Sequence, residues 1–288
     1  PSTGATTRRM AGQYAQARTM PEGQVSHRNA ITLQAALAGR DLVRVHVPDP
    51  RLAPQRIDER LSGDSVSSAE ARGKHHLLRF DSGRTLHSHL LMSGRWVVRA
   101  GHEPPWTGGL TLALFTGRHV AALYQCREVA LIEPGQQLPR WVTTTGPDLI
   151  PADDPAGVTA ARLARVAPTR EVGEVLMDQR VVSGIGNVYK SETCFLAGID
   201  PWRAVGTLSQ DERGRLGGIG ARLLAEGVRQ DGRIGTYRRP GMPPGVPTRG
   251  KWVYGRAGRP CRRCGAVIRS RGQGDANRTT YWCPTCQT

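Results

Sequence analysis

The sequence predicts a multidomain α+β protein in which a β-sandwich with an N-terminal helix is followed by helices and then by a cysteine-rich β-hairpin. Short runs rich in Val and Leu occupy the first half of the chain, apolar residues at helical spacing follow, and two Cys-x-x-Cys pairs lie near the C-terminus. A length of 288 residues suits two domains and a small third module.

The composition excludes several classes of protein. Hydrophobic residues make up 38% of the chain, which is enough for ordinary cores and argues against disorder throughout. No uninterrupted apolar run reaches the roughly 18 to 20 residues needed to cross a bilayer. Residues 1–20 also lack the apolar stretch of a secretory signal. We therefore expect a cytoplasmic protein with no membrane partner.

The N-terminal segment is predicted to lie outside the fold. Residues 1–20 contain Ser, Thr, Gly, Ala and Arg without periodicity, and we interpret them as a disordered leader, a cloning remnant or a start-site extension. Folded sequence begins at Met20-Pro21-Glu22-Gly23. Apolar residues from Val25 to Leu37 recur at helical spacing, and Gly39 ends this predicted helix.

The β-sandwich is predicted to span residues 21–150. Its strands are short, rich in Val and Leu, and separated by Gly, Pro, Asp or Ser. We place them at residues 41–47, 75–80, 85–91, 95–99, 110–115 and 119–132. Asp81-Ser82-Gly83 and Thr116-Gly117 are predicted hairpin turns.

The apolar spacing becomes helical after Pro147, which predicts a helical domain over residues 151–250. Residues 151–157 are interpreted as a linker, and residues 231–250, with four Pro and five Gly, as a mobile loop. Three helices are indicated between them by the shared face of Val172, Val175 and Leu176, by Asn187–Ala197 before Gly198, and by Ser209 with Asp211 and Glu212.

The C-terminal module, residues 251–288, has the spacing of a four-thiolate zinc site. The pairs Cys261/Cys264 and Cys283/Cys286 are separated by 18 residues. Four thiolates fill tetrahedral Zn²⁺ and leave no position for water, so one Zn²⁺ here would be structural. The alternative is that the four cysteines form two disulfides or remain free thiols. An intracellular location disfavours this alternative. Cys126 and Cys194 have no such spacing and are predicted to be buried.

Positive charge is concentrated in the same part of the chain. The formal net charge is +16, and residues 228–288 hold 13 Lys and Arg against 2 Asp and Glu, a local excess of 11. Arginines around and between the cysteine pairs suit contacts with phosphates and base edges. Solubility and anionic membranes are alternative explanations, but no basic amphipathic helix supports the second. The pattern therefore favours a nucleic-acid partner.

Three motifs, in this order, resemble the formamidopyrimidine-DNA glycosylase and endonuclease VIII family over about residues 20–288. They are Met20-Pro-Glu-Gly23 opening a helix, Gly184-Ile-Gly-Asn-Val-Tyr-Lys-Ser-Glu192, and Tyr281-Trp-Cys-Pro-Thr-Cys-Gln287. The resemblance implies an N-terminal β-sandwich, a helix–two-turn–helix domain and a zinc β-hairpin that hold double-stranded DNA between them. It also implies a repair enzyme, acting as a monomer, that flips out and excises damaged bases.

The resemblance assigns chemical roles by motif. Pro21 corresponds to the nucleophilic N-terminal proline, and Glu22 to the acid that protonates the opening sugar ring. Without the resemblance, both residues are also good helix starters. Lys74 corresponds to a hairpin lysine that contacts phosphate and assists β-elimination, although an ordinary surface lysine is the alternative. Arg278 matches the zinc-hairpin arginine that grips phosphates and promotes the final elimination.

The same resemblance implies further DNA contacts. Asn187 matches a phosphate-binding asparagine, which would otherwise be an N-cap residue. Met92 resembles the residue that fills the gap left by the flipped base, although a methionine at this place in a strand is more often core. In the 8-oxoguanine-directed branch, an Arg and a Phe support the orphaned base. Here Arg127 matches, but Val129 is too small, which favours the endonuclease VIII-like branch acting on oxidised pyrimidines.

One departure from the family is chemical. In the sequence as given, the nitrogen of Pro21 is a tertiary amide, because Met20 precedes it. It therefore has no free lone pair with which to attack a sugar. Either the active protein begins at Pro21, or the chain is a catalytically silent DNA-binding protein of the same fold, blocked by residues 1–20. A generic zinc-ribbon adaptor would explain only the last forty residues.

Overall fold

The computed structural model of the protein describes residues 21–106, 108–243 and 246–288. The predicted leader and Met20 lie outside the described residues. Most of the helices and strands predicted from the sequence are found in this range, several of them with shifted bounds. The helices are α1 (Gly23–Leu37), α2 (Ile57–Leu61), α3 (Arg140–Thr143), α4 (Pro155–Leu163), α5 (Val172–Met177), α6 (Asn187–Ala197) and α7 (Gln210–Arg229).

The strands belong to three antiparallel sheets. They are β1 (Arg40–Asp41), β2 (Arg44–His46), β3 (Ser65–Arg72), β4 (His75–Phe80), β5 (Thr85–His89), β6 (Arg95–Ala100), β7 (Leu110–Phe115), β8 (His119–Tyr124), β9 (Glu128–Ile132), β10 (Arg269–Gln273) and β11 (Arg278–Trp282). Short 3₁₀ turns occur at Pro50–Gln55 and Val205–Thr207.

The predicted β-sandwich is confirmed. One sheet has the strand order β1-β3-β4-β5-β9 and the other β2-β7-β8-β6. Leu78 and Leu86 of the first sheet share one buried cluster with Leu112 and Leu123 of the second. Burial of these side chains between the sheets drives their association.

Three strand predictions need correction. The predicted strand 41–47 is two short strands, β1 and β2, which belong to different sheets. Strand β3 was not predicted, because Val66 and Ala69 are its only buried side chains and a bulge between Val66 and Ser68 breaks the alternation. The predicted strand 119–132 is two strands. Its chain passes from one sheet to the other at residues 125–127, where Gln125 has a left-handed backbone with φ of 49°.

Helix α1 has the predicted position and connects the sandwich to the helical part of the chain. Leu33 and Leu37 on its inner face are fully buried in the sandwich core. The same helix also packs against α7, and its first amide, Gly23 N, donates to Gly184 O at 2.8 Å. The N-terminus of α1 is therefore held against the loop that precedes α6.

The helical part matches the prediction except at its start. Helix α6 has the predicted bounds, and α7 begins with the capping box of Ser209 and Glu212. The linker interpretation of residues 151–157 is wrong at its end, since α4 begins at Pro155. Asp154 caps that helix by accepting a hydrogen bond from Gly157 N, and Pro155 occupies a first-turn position that needs no N–H donor.

The cysteine module forms the predicted β-hairpin and packs along α6. Strand β11 lies beside the helix through two hydrogen bonds: Asn187 Nδ2 donates to Thr279 O at 2.9 Å, and Tyr281 N donates to Ser191 Oγ at 3.3 Å. These contacts bring the hairpin to the end of α6 that faces Glu22.

None of the helices in the described residues has the length and apolar character of a membrane-spanning helix.

Candidate active site

Glu22 lies at the N-terminus of α6, although 164 residues separate it from Gly186. Its carboxylate accepts hydrogen bonds from Gly186 N at 3.0 Å, Val188 N at 2.8 Å and Tyr189 N at 3.2 Å. The side chain is fully buried. Burial raises the pKa of Glu22, while the charge of Lys74 and the three N–H donors oppose that rise. Burial thus favours the protonated carboxyl group, and the nearby charge and N–H donors favour the carboxylate.

Glycines make this close approach possible. A Cβ on Gly186 would lie 2.4 Å from Glu22 Cδ, and a Cβ on Gly23 would lie 2.6 Å from Gly184 Cα. Both distances are too short for any real side chain. The glycines of the Gly184-Ile-Gly186 motif therefore allow the two segments to meet, so that Glu22 reaches the helix N–H groups.

Lys74 lies in the tight turn between β3 and β4. Gly73, in the left-handed conformation with φ of 59°, donates its N–H to Asp148 Oδ2 at 2.5 Å. Asp148 Oδ2 also lies 2.8 Å from His27 Nε2 of α1. Burial lowers the pKa of Lys74, Arg278 lowers it further, and Glu22 acts in the opposite direction. The pKa of Lys74 therefore depends on the charges of both Glu22 and Arg278.

A pocket of about 400 Å³ brings together four of the predicted site residues from distant parts of the chain. It is lined by Glu22, Met92, Asn187, Val188, Tyr254, Ala276, Asn277, Arg278, Thr279 and Tyr281. Met92 follows β5 and is 60% exposed, so it is a rim residue and not core. Asn187 is buried, and its Oδ1 has no hydrogen-bond partner in the described chain.

The remaining predicted residues lie around this pocket or away from it. Pro21 is half-buried and adjoins Glu22 directly in the chain. Arg127 is exposed just before β9 and does not line the pocket. Val129 is buried in the sandwich core, so its side chain is unavailable as a wedge.

Sequence reasoning missed Lys190 and Tyr254. Lys190 is fully buried on α6, its Nζ donates to Thr280 Oγ1 at 2.5 Å, and burial lowers its pKa to about 8. Tyr254 lines the pocket, and burial raises its pKa. The sequence did contain one signal for Lys190, because the chain has only three lysines: Lys74, Lys190 and Lys251. Nothing near Tyr254 in the sequence distinguished it.

The four cysteines of the hairpin module fit one zinc ion. Their Sγ atoms all lie within 4.8 Å of one another, with Cys261 to Cys286 at 3.9 Å and Cys264 to Cys283 at 3.5 Å. Tetrahedral Zn²⁺ with Zn–S bonds near 2.3 Å requires S···S separations of about 3.8 Å. The donor set is complete with four sulfurs, so zinc here holds the hairpin and takes no part in chemistry. Cys126 and Cys194 are buried elsewhere, as predicted.

Family models match three consecutive parts of the chain. The formamidopyrimidine-DNA glycosylase N-terminal domain matches residues 20–130, and the formamidopyrimidine-DNA glycosylase H2TH domain matches residues 146–238. The zinc finger found in FPG and IleRS matches residues 258–288. Their order is that of the sandwich, the helices and the hairpin.

Curated relatives match along nearly their whole length. The chain is 41% identical over 275 residues to the probable endonuclease 8 2 of Streptomyces coelicolor, covering 93% of this chain and 94% of that protein. It is 37% identical to the DNA-(apurinic or apyrimidinic site) lyase Nei2 of Mycolicibacterium smegmatis, covering 93% and 99% respectively.

A solved structure supports the same fold. Lactococcus lactis formamidopyrimidine-DNA glycosylase, non-covalently bound to DNA containing an AP site, superposes with a TM-score of 0.76 and 23% identity. The match covers 93% of this chain and 99% of that one. The structural likeness agrees with the family models and the curated relatives. The chain therefore belongs to the formamidopyrimidine-DNA glycosylase and endonuclease VIII family.

Proposed function

We propose that this protein is a DNA repair enzyme that excises oxidised bases from double-stranded DNA and cleaves the strand at the resulting abasic site. One observation carries the proposal. Glu22, which directly follows the candidate nucleophile Pro21, lines the same pocket as Asn187 of α6 and Arg278 of the zinc hairpin. Membership of the family supports the same activity, because relatives carry glycosylase and lyase names.

Pro21 supplies the nucleophile. The lone pair of its free secondary amine forms a bond with sugar C1′, the glycosidic bond breaks, and the base leaves with a proton. Opening of the sugar ring then gives an iminium ion between Pro21 N and C1′. This cation is an electron sink, so loss of a C2′ proton expels the 3′ phosphate, and a second elimination expels the 5′ phosphate.

Glu22 donates the proton that sugar-ring opening requires. Burial raises its pKa and so favours the protonated acid, while the N–H groups at the N-terminus of α6 stabilise the carboxylate after transfer. Both protonation states are therefore supported by the site. The fixed position beside Pro21 keeps the acid within reach of the sugar that Pro21 attacks.

The remaining candidate residues position the DNA strand. Lys74 and Arg278 place two positive charges near Glu22, where flanking phosphates would lie, and both would stabilise the phosphate leaving groups. Asn187 lines the same pocket and offers an amide to a phosphate. Met92, exposed on the rim of the pocket, would fill the gap left by a flipped base. Arg127 lies outside the pocket, and its proposed role is to support the base that loses its partner when the lesion is flipped out.

The active form begins at Pro21, because a proline nitrogen in a peptide bond cannot form the iminium. The start of the family-model match at residue 20 supports this assignment. Val129 stands where an 8-oxoguanine-directed enzyme has a Phe, and it is small and buried in the core, which favours oxidised pyrimidines as substrates. The domain limits, the monomeric state and the cytoplasmic location remain predictions.

Borohydride trapping on duplex DNA with one abasic site tests the proposal. Protein starting at Pro21 should form a covalent adduct after reduction of the iminium, whereas the chain of 288 residues should form none. Replacing Glu22 by Gln should reduce excision of an oxidised pyrimidine much more than binding to the same duplex. Lysine side chains can also form adducts with abasic sites, so peptide mapping of the reduced adduct identifies the attacking nitrogen.

The catalytically silent alternative predicts a different result. If protein starting at Pro21 binds abasic DNA but gives no adduct and no strand cleavage, the enzyme assignment is wrong. If Glu22→Gln leaves every activity intact, the acid has been assigned to the wrong residue.

A further inference from the structure

A second groove lies on the sandwich, away from the candidate active site. It has a volume of about 430 Å³ and runs between α1 and the end of β6. It is lined by Arg28, Ile31, Thr32, Ala35, Ala36, Val98, Arg99, Ala100 and His119. Ala35 is thirteen residues beyond Glu22, or about 20 Å along the helix axis. The groove thus belongs to neither the pocket nor the zinc hairpin.

One wall of this groove is the end of β6, the outer strand of a sheet, with His119 of β8 beside it. Strand β6 is the outermost strand of the order β2-β7-β8-β6, and within the described chain its ladder runs only to β8. Its other edge therefore presents main-chain N–H and C=O groups without strand partners. Such an edge is a template for an additional strand. Val98 and Ala100, which line the groove, are half-buried and exposed respectively.

The facing wall is the outer side of α1. Ile31 is 51% exposed there, and Ala35 is exposed beside it. The small side chains of Thr32 and Ala36 leave the space that a ligand could occupy. A helix beside an unpaired edge strand is the arrangement that binds extended peptides by strand addition, with alternate side chains directed at the helix.

The rim of the groove is positively charged. Arg28 and Arg99 line it, and no acidic residue does. Arg28 forms an ion pair with Asp231 at 2.8 Å, whereas Arg99 forms no ion pair with any described residue. The Nδ1 atom of His119 is buried and has no hydrogen-bond partner in the described chain. The electrostatics therefore favour an acidic ligand above an apolar floor.

We propose that this groove binds an extended segment of a partner protein in which apolar and acidic residues alternate, by adding it as a strand to β6. The apolar side chains pack on Ile31, Ala35 and Val98, and the carboxylates meet Arg99 and its neighbours. Duplex DNA fits less well, because the apolar side chains on the floor of the groove offer its phosphates no hydrogen-bond donor. Residues 1–20 also fit poorly, since they carry Arg8, Arg9 and Arg18 and no acid.

Fluorescence anisotropy with a labelled, acetylated peptide of alternating Leu and Asp tests the proposal on protein with and without residues 1–20. We expect saturable binding that is insensitive to added duplex DNA. Arg99→Glu should weaken it about fivefold or more, and Ile31→Ser should weaken it similarly. Hydrogen exchange should show new protection at the amides of β6 when the peptide is bound.

Matched controls separate this site from the general positive charge of the protein. Arg162→Glu makes the same charge change at an exposed position on α4, and Val43→Ser removes an aliphatic side chain that is 66% exposed elsewhere. Both should leave peptide affinity within about twofold, since neither lines the groove. DNA cleavage should be normal in Arg99→Glu and Ile31→Ser.

Three results would overturn the proposal. Equal weakening by Arg99→Glu and Arg162→Glu would show non-specific attraction. Equal affinity for a peptide interrupted by proline, which removes main-chain donors, would exclude strand addition. Binding only after removal of residues 1–20 would identify that segment as the occupant.

Discussion

A single methyl group placed between Gly186 and Glu22 should disable the candidate active site. The Gly186→Ala substitution requires no unusual backbone, because Gly186 has φ of −119°. Its Cβ would nevertheless lie 2.4 Å from Glu22 Cδ and 2.7 Å from Oε1. Carbon atoms in ordinary contact are separated by about 3.5 to 4.0 Å. The Glu22 carboxyl group must therefore move by about 1 Å.

The size of the effect follows from the contacts that this movement disturbs. Overpacking of a buried site costs about 1 to 3 kcal/mol. Loss of the charge-assisted hydrogen bond from Gly186 N to Glu22 Oε2 costs about 1.5 to 3 kcal/mol more. We expect the free energy of unfolding to fall by about 2.5 to 6 kcal/mol. Displacement of the acid by about 1 Å should also slow base excision about a hundredfold.

Stability and catalysis are measured separately. Urea unfolding gives the loss of stability, and single-turnover cleavage of a duplex with one oxidised pyrimidine gives the rate at a temperature where the variant is folded. Zinc content and binding to undamaged duplex DNA verify that the variant retains its fold. The control is Gly218→Ala on α7, where a Cβ would meet nothing nearer than 4.0 Å. This control should be unchanged in rate and slightly more stable.

A normal excision rate and normal stability in Gly186→Ala would refute this reasoning. That result would mean that Glu22 is not held against Gly186 in the working enzyme. Low activity with normal affinity for undamaged DNA, together with reduced stability, is the outcome that the geometry requires.

The other predictions concern the hairpin and the buried histidines. Arg278→Ala should weaken binding to abasic DNA and slow strand cleavage while zinc content stays at one per chain; zinc loss in this variant would show a structural role instead. Cys283→Ser should release zinc, unfold the hairpin and lower DNA affinity, so an unchanged salt-dependence of binding would argue that the hairpin makes no phosphate contacts. Burial lowers the pKa of His76 to about 3 from its usual 6.5, so the folded protein keeps the ring neutral while the unfolded chain binds a proton below pH 6.5. Stability should therefore fall as pH drops from 6.5 towards 3, by up to about 1.4 kcal/mol for each pKa unit. In His76→Leu, urea unfolding between pH 7 and 4 should show a shallower loss, and an identical pH profile would contradict this assignment.

Local patterns in the sequence predicted a large part of the fold. Helix α6 has the predicted bounds because it ends at Gly198, whose left-handed φ of 74° suits glycine. The strands β4 and β7 were found from their apolar runs. Strand β3 was missed because its few apolar residues and its bulge hide the alternation, and the start of α4 was missed because Pro155 was interpreted as a linker residue.

The candidate site was predicted less completely. Glu22, Asn187 and Arg278 were named from motifs, and the structure places them around one pocket. Lys190 was overlooked because a lysine on a helix gives no indication of its burial. Its environment depends on Thr280, which is 90 residues further along the chain. Arg127 matched a family position in sequence but does not line the pocket.

The sequence by itself determined the helix periodicity, the capping residues, the cysteine spacing and the motifs that identify the family, because each of these signals depends on residues close together in the chain. Three features became visible only in the tertiary structure. The Glu22 carboxyl accepts hydrogen bonds from the N–H groups of α6, and the charges of Glu22 and Arg278 affect the pKa of Lys74. Strand β6 also has an edge without a strand partner in the described chain. The reason is physical: pKa shifts, pockets and free sheet edges arise from packing between distant segments, and no short stretch of sequence contains that packing.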